Sequence, residues 1–210
     1  MKKSVAEIRE RFVSGYYTII GKGIRPLLGT GISPNLVSFL ALTASLIAGS
    51  LYAFGLIFQG GLLLLVSGFM DTLDGTLARL TGRSNRFGAL LDSTLDRYAE
   101  FFIFSGILFY YRQTWMFTVV LLALTGSIMV SYIKARAQSL GRVRTLGLMQ
   151  RPERFVLLLT GSFLNLPVEV LFPDFPDAAL STALMLLALL SNGTAIRRLV
   201  EGRKDLTKNA

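Results

Sequence analysis

The chain has 210 residues, with 22 Lys and Arg against 13 Asp and Glu, no His and no Cys; it is 52% hydrophobic, with a mean hydropathy of +0.54. That balance is too apolar for a soluble domain of this length and points to a membrane protein. The missing His and Cys exclude a Ser-His-Asp triad and the usual zinc or copper sites, and no G-x4-G-K-[ST] loop marks a P-loop ATPase.

Residues 1–25 begin with basic residues that lead into "SVAEIRERFVSGYY" instead of an unbroken apolar stretch, so they do not form a cleavable signal. Val5, Ile8, Phe12, Tyr16 and Ile19 recur at spacings of three and four, which predicts an amphipathic helix lying in the membrane interface. A surface helix docked on the bundle has the same pattern.

From Pro26 to Met70 no residue is charged, a run of 45 positions and about twice the ~20 needed for one crossing. Gly60-Gly61 is read as the break between two spans. Further apolar segments complete a set of six, beginning near 36, 62, 88, 114, 153 and 177. The fifth contains Pro167 and Glu169, and an interfacial or re-entrant segment is the alternative there. The predicted fold is all-α, polytopic, with six transmembrane helices and the N-terminal interfacial helix. The domain is read as residues 26–200, between the juxtamembrane segment 1–25 and a cytoplasmic tail, 201–210. Internal repeats and a second soluble domain are absent.

Positive charge falls in alternate segments, as cytoplasmic loops require. Lys2, Lys3, Arg9, Arg11, Lys22 and Arg25 precede span one; Arg79, Arg83 and Arg86 follow span two; Lys134, Arg136, Arg142, Arg144, Arg151 and Arg154 follow span four; Arg197, Arg198, Arg203, Lys204 and Lys208 close the chain. Opposite loops hold Arg112 alone, and Asp174 and Asp177. Both termini are therefore expected on the cytoplasmic side of the cell (inner) membrane. This placement accounts for most of the net charge of +9 by contact with anionic membrane lipids, with no nucleic-acid partner.

Within the second and third spans, "DTLDGTLARLTGRSNRFGALLDSTLD" places Asp71 and Asp74 one turn apart, then Asp92 and Asp96 one turn apart. The turn "TGRSN" centres near Arg83; Asp74 and Asp92 are each 9 residues from it, and Asp71 and Asp96 are 12 and 13 away. Antiparallel helices would therefore bring four carboxylates to matching depth. Four like charges need neutralising, two divalent cations would suffice, and an all-oxygen set suits Mg²⁺ or Mn²⁺. Solvated interfacial charges, salt bridges with Arg79, Arg83, Arg86 and Arg97, or a cation pathway such as a Mg²⁺ transporter are the other readings. Gly75, Ala78 and Gly88 either permit close helix packing or let a flat ring approach the backbone, and Arg79 is either a phosphate fork or a headgroup anchor. Lys134 and Arg136, two apart, cannot share a helical face, whereas Arg151 and Arg154 can both turn inward.

The stretch reads D-x2-D-G-x2-A-R-x8-G-x3-D-x3-D and resembles, at all eight fixed positions, the signature of the CDP-alcohol phosphotransferases. The resemblance implies a six-span membrane enzyme that moves a phosphatidyl or comparable phosphoryl group from a CDP-linked donor to an alcohol and releases CMP. It implies that Asp71, Asp74, Asp92 and Asp96 hold two metal ions, Mg²⁺ with Mn²⁺ as a substitute, and that Asp96 is also the general base. Gly75, Ala78, Arg79, Asn85 and Gly88 would contact the CDP donor. "SPNLVS" resembles the family's start of span one, where Asn35, Leu36, Val37 and Ser38 would line the nucleotide pocket. "SYIKARA" at 131–137 and "RPER" at 151–154 are similar to segments of bacterial phosphatidylinositol-phosphate synthases, which transfer the phosphatidyl group of CDP-diacylglycerol to inositol 1-phosphate. Lys134 and Arg151, with Arg154 and Arg198, would then hold the acceptor phosphate. Glycerol 3-phosphate or serine as acceptor, and an archaeol-based donor, are alternatives within the same chemistry, and a homodimer is implied.

Overall fold

The computed structural model describes residues 31–141, 147 and 149–208. The predicted interfacial helix within 1–25, and Arg142 and Arg144 of the basic cluster, lie outside the described residues. Those residues form six α-helices and no strand: α1 Pro34–Ala53, α2 Ile57–Leu80, α3 Arg86–Tyr110, α4 Met116–Ser139, α5 Arg151–Leu171 and α6 Ala178–Lys208.

Local signals set the ends that frame the site. Ser33 accepts a hydrogen bond from the Leu36 N–H at 3.2 Å, and Pro34 occupies the first turn of α1, where a missing N–H costs nothing. Asn85 caps α3 by accepting from the Gly88 N–H at 2.7 Å.

The break between the first two helices is not at Gly60-Gly61, as expected, but at Phe54–Leu56, where Gly55 adopts φ +75°. Gly60 and Gly61 lie inside α2. Their missing side chains make room for neighbours: a Cβ at Gly60 would sit 3.1 Å from the Tyr52 ring, and one at Gly61 2.9 Å from the Ser162 Cβ. The chain turns where a left-handed conformation is needed, and uses the Gly pair for packing. Helix α5 runs unbroken through Pro167, so the fifth segment is one full helix instead of a short or re-entrant one. Helix α6 continues to Lys208, through most of the expected tail.

Five helices (α1, α2, α4, α5 and α6 over Ala178–Lys204) are long and apolar enough to cross a membrane. The other, α3, has 25 residues but carries Arg86, Asp92, Asp96, Arg97 and Glu100 within its first 15. All six helices point large apolar side chains outward, with Phe87, Val170, Leu171 and Leu189 among the most exposed. So much apolar surface is satisfied by lipid, and the chain is an integral membrane protein.

Helix α1 packs along both α2 and α3, α6 packs along α4 and α5, and contacts of α2 with α5 and α3 with α4 close the bundle. Tyr52, Ile107, Val120, Leu180, Leu184 and Leu187 fill the centre. Buried hydroxyls tie the helices: Tyr52 to Ser162 at 2.6 Å, and Ser45 to Ser67 at 2.6 Å. Backbone meets backbone where α1 packs on α3, and a Cβ on Gly106 would fall 1.8 Å from the Gly49 carbonyl oxygen. Gly106→Val is expected to destabilise the fold by at least the ~1–3 kcal/mol typical of overpacking, read as a lower thermal midpoint in detergent, because the obstacle is backbone and cannot rotate away. Native-like melting of that variant would mean that α1 and α3 separate freely.

Candidate functional site

The carboxylates gather where the C-terminal half of α2 faces the N-terminal half of α3. Asp71, Asp92 and Asp96 each offer an oxygen, and these atoms all lie within 4.8 Å of one another. Asp74 stands slightly apart, 4% exposed, and accepts a hydrogen bond from the Ser38 hydroxyl on α1. All four aspartates, with Ser38 and Arg151, line a cavity of 20 Å³. The structure thus brings the four to one place, as the symmetric spacing about Arg83 requires, with oxygens of three within 4.8 Å of one another and the fourth bonded to α1.

Beside them opens a cavity of 530 Å³, large enough for a nucleotide. Asn35 and Ser38 from α1, Asp74, Gly75, Ala78 and Arg79 from α2, and Asn85, Gly88 and Asp92 from the turn and α3 line it. Leu36 and Val37 do not. Leu36 is 51% exposed on the outer face, and Val37 packs against Leu77, because a helix turns successive residues by ~100° and only Asn35 and Ser38 share the inner face. Near Gly75, a Cβ would meet nothing closer than the Arg79 Nη1 at 3.6 Å, and near Gly88 only the Asn85 cap. Neither glycine is therefore required for helix packing; both leave the cavity wall bare. Arg79 is exposed and donates to Thr76 Oγ1 at 3.1 Å.

The four basic residues expected around an acceptor phosphate fall in different environments. Arg151, at the start of α5 and 43% exposed, donates to both oxygens of Asp71 at 2.9 and 3.0 Å and approaches Asp96 Oδ1 at 2.5 Å. Arg154, one turn on, faces inward as its spacing allows, but is 5% exposed and turned toward protein partners: Ser131 at 3.2 Å, the Met149 carbonyl at 3.4 Å and Glu100 at 3.5 Å. Its Nε is buried without a partner. Arg198 is 2% exposed and donates to the Val130 carbonyl at 2.6 Å. Lys134 is exposed near the end of α4.

Glu100 is the group that the sequence reading missed. It accepts from the Ser127 hydroxyl, from Arg97 at 2.9 Å and, more distantly, from Arg154, and so ties α3, α4 and α5 together directly behind Asp96. Its spacing was the available signal: four residues beyond Asp96, it continues the acidic face of α3 by one turn. Glu100→Ala would leave the Arg154 charge buried with hydroxyl and carbonyl partners alone. The expected loss is ~3–5 kcal/mol, read as a lower midpoint of unfolding in detergent, with Glu100→Gln milder. An unchanged midpoint in both would remove the network from the stability of the bundle.

Three converging carboxylates in a chain without His or Cys form a hard, all-oxygen donor set, which fits Mg²⁺ or Mn²⁺ and no soft metal.

Comparison with known proteins extends this geometry. The family model described as CDP-alcohol phosphatidyltransferase matches residues 31–192. A phosphatidylinositol phosphate synthase of Mycobacterium tuberculosis is 38% identical over 185 residues, covering 83% of this chain and 81% of the relative. An archaetidylinositol phosphate synthase of Methanothermobacter thermautotrophicus is 36% identical over 200 residues, covering 92% and 95%. The crystal structure of the M. tuberculosis phosphatidylinositol phosphate synthase with CDP-DAG bound superimposes with a TM-score of 0.76 at 36% identity, covering 88% of this chain and 94% of that one. Its structure in complex with manganese and citrate gives 0.74 at 35% identity, covering 89% and 88%.

Proposed function

Because the chain belongs to the CDP-alcohol phosphatidyltransferase family, we propose that it transfers the phosphatidyl group of CDP-diacylglycerol to inositol 1-phosphate, giving phosphatidylinositol phosphate and CMP. The observation that carries this reading is the 530 Å³ cavity: its wall holds Gly75, Ala78, Arg79, Gly88 and Asp92 of the signature, and it shares Asp74 and Asp92 with the carboxylate cluster. A nucleotide seated there has its phosphates at the aspartates.

Asp71, Asp74, Asp92 and Asp96 would hold two Mg²⁺ ions, replaceable by Mn²⁺, and when bound these supply charge neutralisation at the pyrophosphate. The protein's own groups do the rest. Asn35, Ser38, Gly75, Ala78, Asn85 and Gly88 seat the cytidine, and the Arg79 fork meets phosphate oxygens. Asp96 takes the proton of the acceptor hydroxyl as its oxygen bonds to the β-phosphorus; the bond from that phosphorus to the bridging oxygen breaks, and CMP leaves with the electron pair. Lys134 and Arg151 supply the positive wall for the acceptor's phosphate, and Arg154 and Arg198 stand behind it as buried charge held by protein partners. Residues 26–200 form the catalytic domain in this reading. The alternation of Lys and Arg among the loops supports termini and site on the cytoplasmic side of the cell membrane, and the proposed assembly is a homodimer.

The archaeal relative makes an archaeol-based donor a reading to test beside the diacylglycerol one. The deciding experiment is an acceptor panel in detergent with radiolabelled CDP-diacylglycerol and its archaeol counterpart: inositol 1-phosphate, inositol, glycerol 3-phosphate and serine. CMP release dependent on inositol 1-phosphate is expected. Equal use of free inositol would defeat the acceptor assignment, and transport without CMP release would defeat the enzyme. Lys134→Gln is expected to raise the KM for inositol 1-phosphate roughly ten- to a hundredfold, the equivalent of one lost charge-assisted contact, and to leave the KM for the donor nearly unchanged. An unaltered acceptor KM would make Lys134 a membrane anchor only.

A further inference from the structure

Arg151 is where the two halves of the site meet. One guanidinium engages both oxygens of Asp71 and one oxygen of Asp96, while the side chain stays 43% exposed on its outer side. It stands at the first residue of α5, where the positive end of the helix dipole disfavours a cation, so the two carboxylates are what hold it in this position. Arg154 cannot take its place, because Glu100, Ser131 and the Met149 carbonyl already hold that guanidinium on the far side.

The oxygens are therefore contested. A hard divalent cation needs oxygens from the same carboxylates, whose candidate ligand atoms lie within 4.8 Å of one another. A guanidinium and a divalent ion cannot share that space without strong like-charge repulsion. We propose that Arg151 and the divalent cation compete for Asp71 and Asp96, so that cation loading turns the Arg151 guanidinium outward, where it binds the acceptor's phosphate. The competition rests on the geometry alone; its link to the acceptor rests on the proposed inositol 1-phosphate reading. Since coupling between two sites is reciprocal, an acceptor phosphate that holds Arg151 outward must tighten the cation by the same factor.

The test is Mn²⁺ binding to the purified full chain in detergent without donor, read from the electron paramagnetic resonance of free Mn²⁺. Arg151→Gln is expected to bind Mn²⁺ about tenfold tighter than native, because the competitor is gone, and Arg151→Lys to fall between. Saturating inositol 1-phosphate is expected to tighten Mn²⁺ at least about fivefold in the native chain and much less in Arg151→Gln. Unchanged or weaker Mn²⁺ binding in both variants would overturn the competition. Tighter binding in the variants with no effect of inositol 1-phosphate on the native chain would overturn the coupling. The acceptor panel then assigns that failure: if inositol 1-phosphate is still consumed, Arg151 does not hold its phosphate; if it is not, the acceptor reading has failed.

Discussion

Asp92→Asn is expected to reduce CMP release from CDP-diacylglycerol by more than about a hundredfold, and Asp71→Asn to do the same. Each removes a charged oxygen donor from a cluster that has no substitute: the chain contains no His or Cys. The nearest other carboxylate on α3, Glu100, is committed to Ser127 and Arg97. Asparagine keeps the shape and one oxygen, so the bundle should fold; the loss is of charge, and with it of affinity for a hard cation. Asp92 lines both the cation cluster and the large cavity, so its loss should also weaken the donor, whose phosphates would meet fewer neutralising charges. The check is turnover across a Mg²⁺ and Mn²⁺ titration with each variant shown to be monodisperse. Near-native rates in either variant, or turnover of the native chain in excess chelator, would end the metal reading.

Asp96→Asn is expected to lose product formation by at least the ~10²–10⁴-fold that general base catalysis supplies, with donor binding less affected than in Asp92→Asn. Asp96 sits one turn beyond Asp92 on α3 and away from the nucleotide cavity, which it does not line; it lines the 20 Å³ cavity with Arg151. In the proposed mechanism that is the acceptor side of the cluster, where a hydroxyl proton would be taken. The measurement is paired: turnover, and stabilisation of the folded chain by CDP-diacylglycerol in a melting assay. Equal loss of donor binding in Asp96→Asn and Asp92→Asn would make Asp96 a ligand only, and near-normal turnover would remove it from the mechanism.

Much of this was legible from spacing, because a helix turns a local interval into an angular one. Asp71 with Asp74, and Asp92 with Asp96, share faces by that rule, and equal distances about Arg83 bring them to one depth once α2 and α3 run antiparallel. Charge-free runs and alternating Lys and Arg marked the helices for the same reason: a bilayer acts on each short segment independently. What tertiary structure alone decided concerns partners from distant segments. Ser38 on α1, 36 residues away in the chain, donates to Asp74, which lies apart from the other three aspartates. Arg151 and Arg154, one turn apart, part company because α3 offers Asp96 to one and Glu100 to the other. The glycine pair at Gly60-Gly61 serves Tyr52 and Ser162 instead of a turn. In each case local spacing sets which way a side chain leaves its own helix, while the neighbouring helix packed there settles what it meets, and that packing sums contacts that no local interval contains.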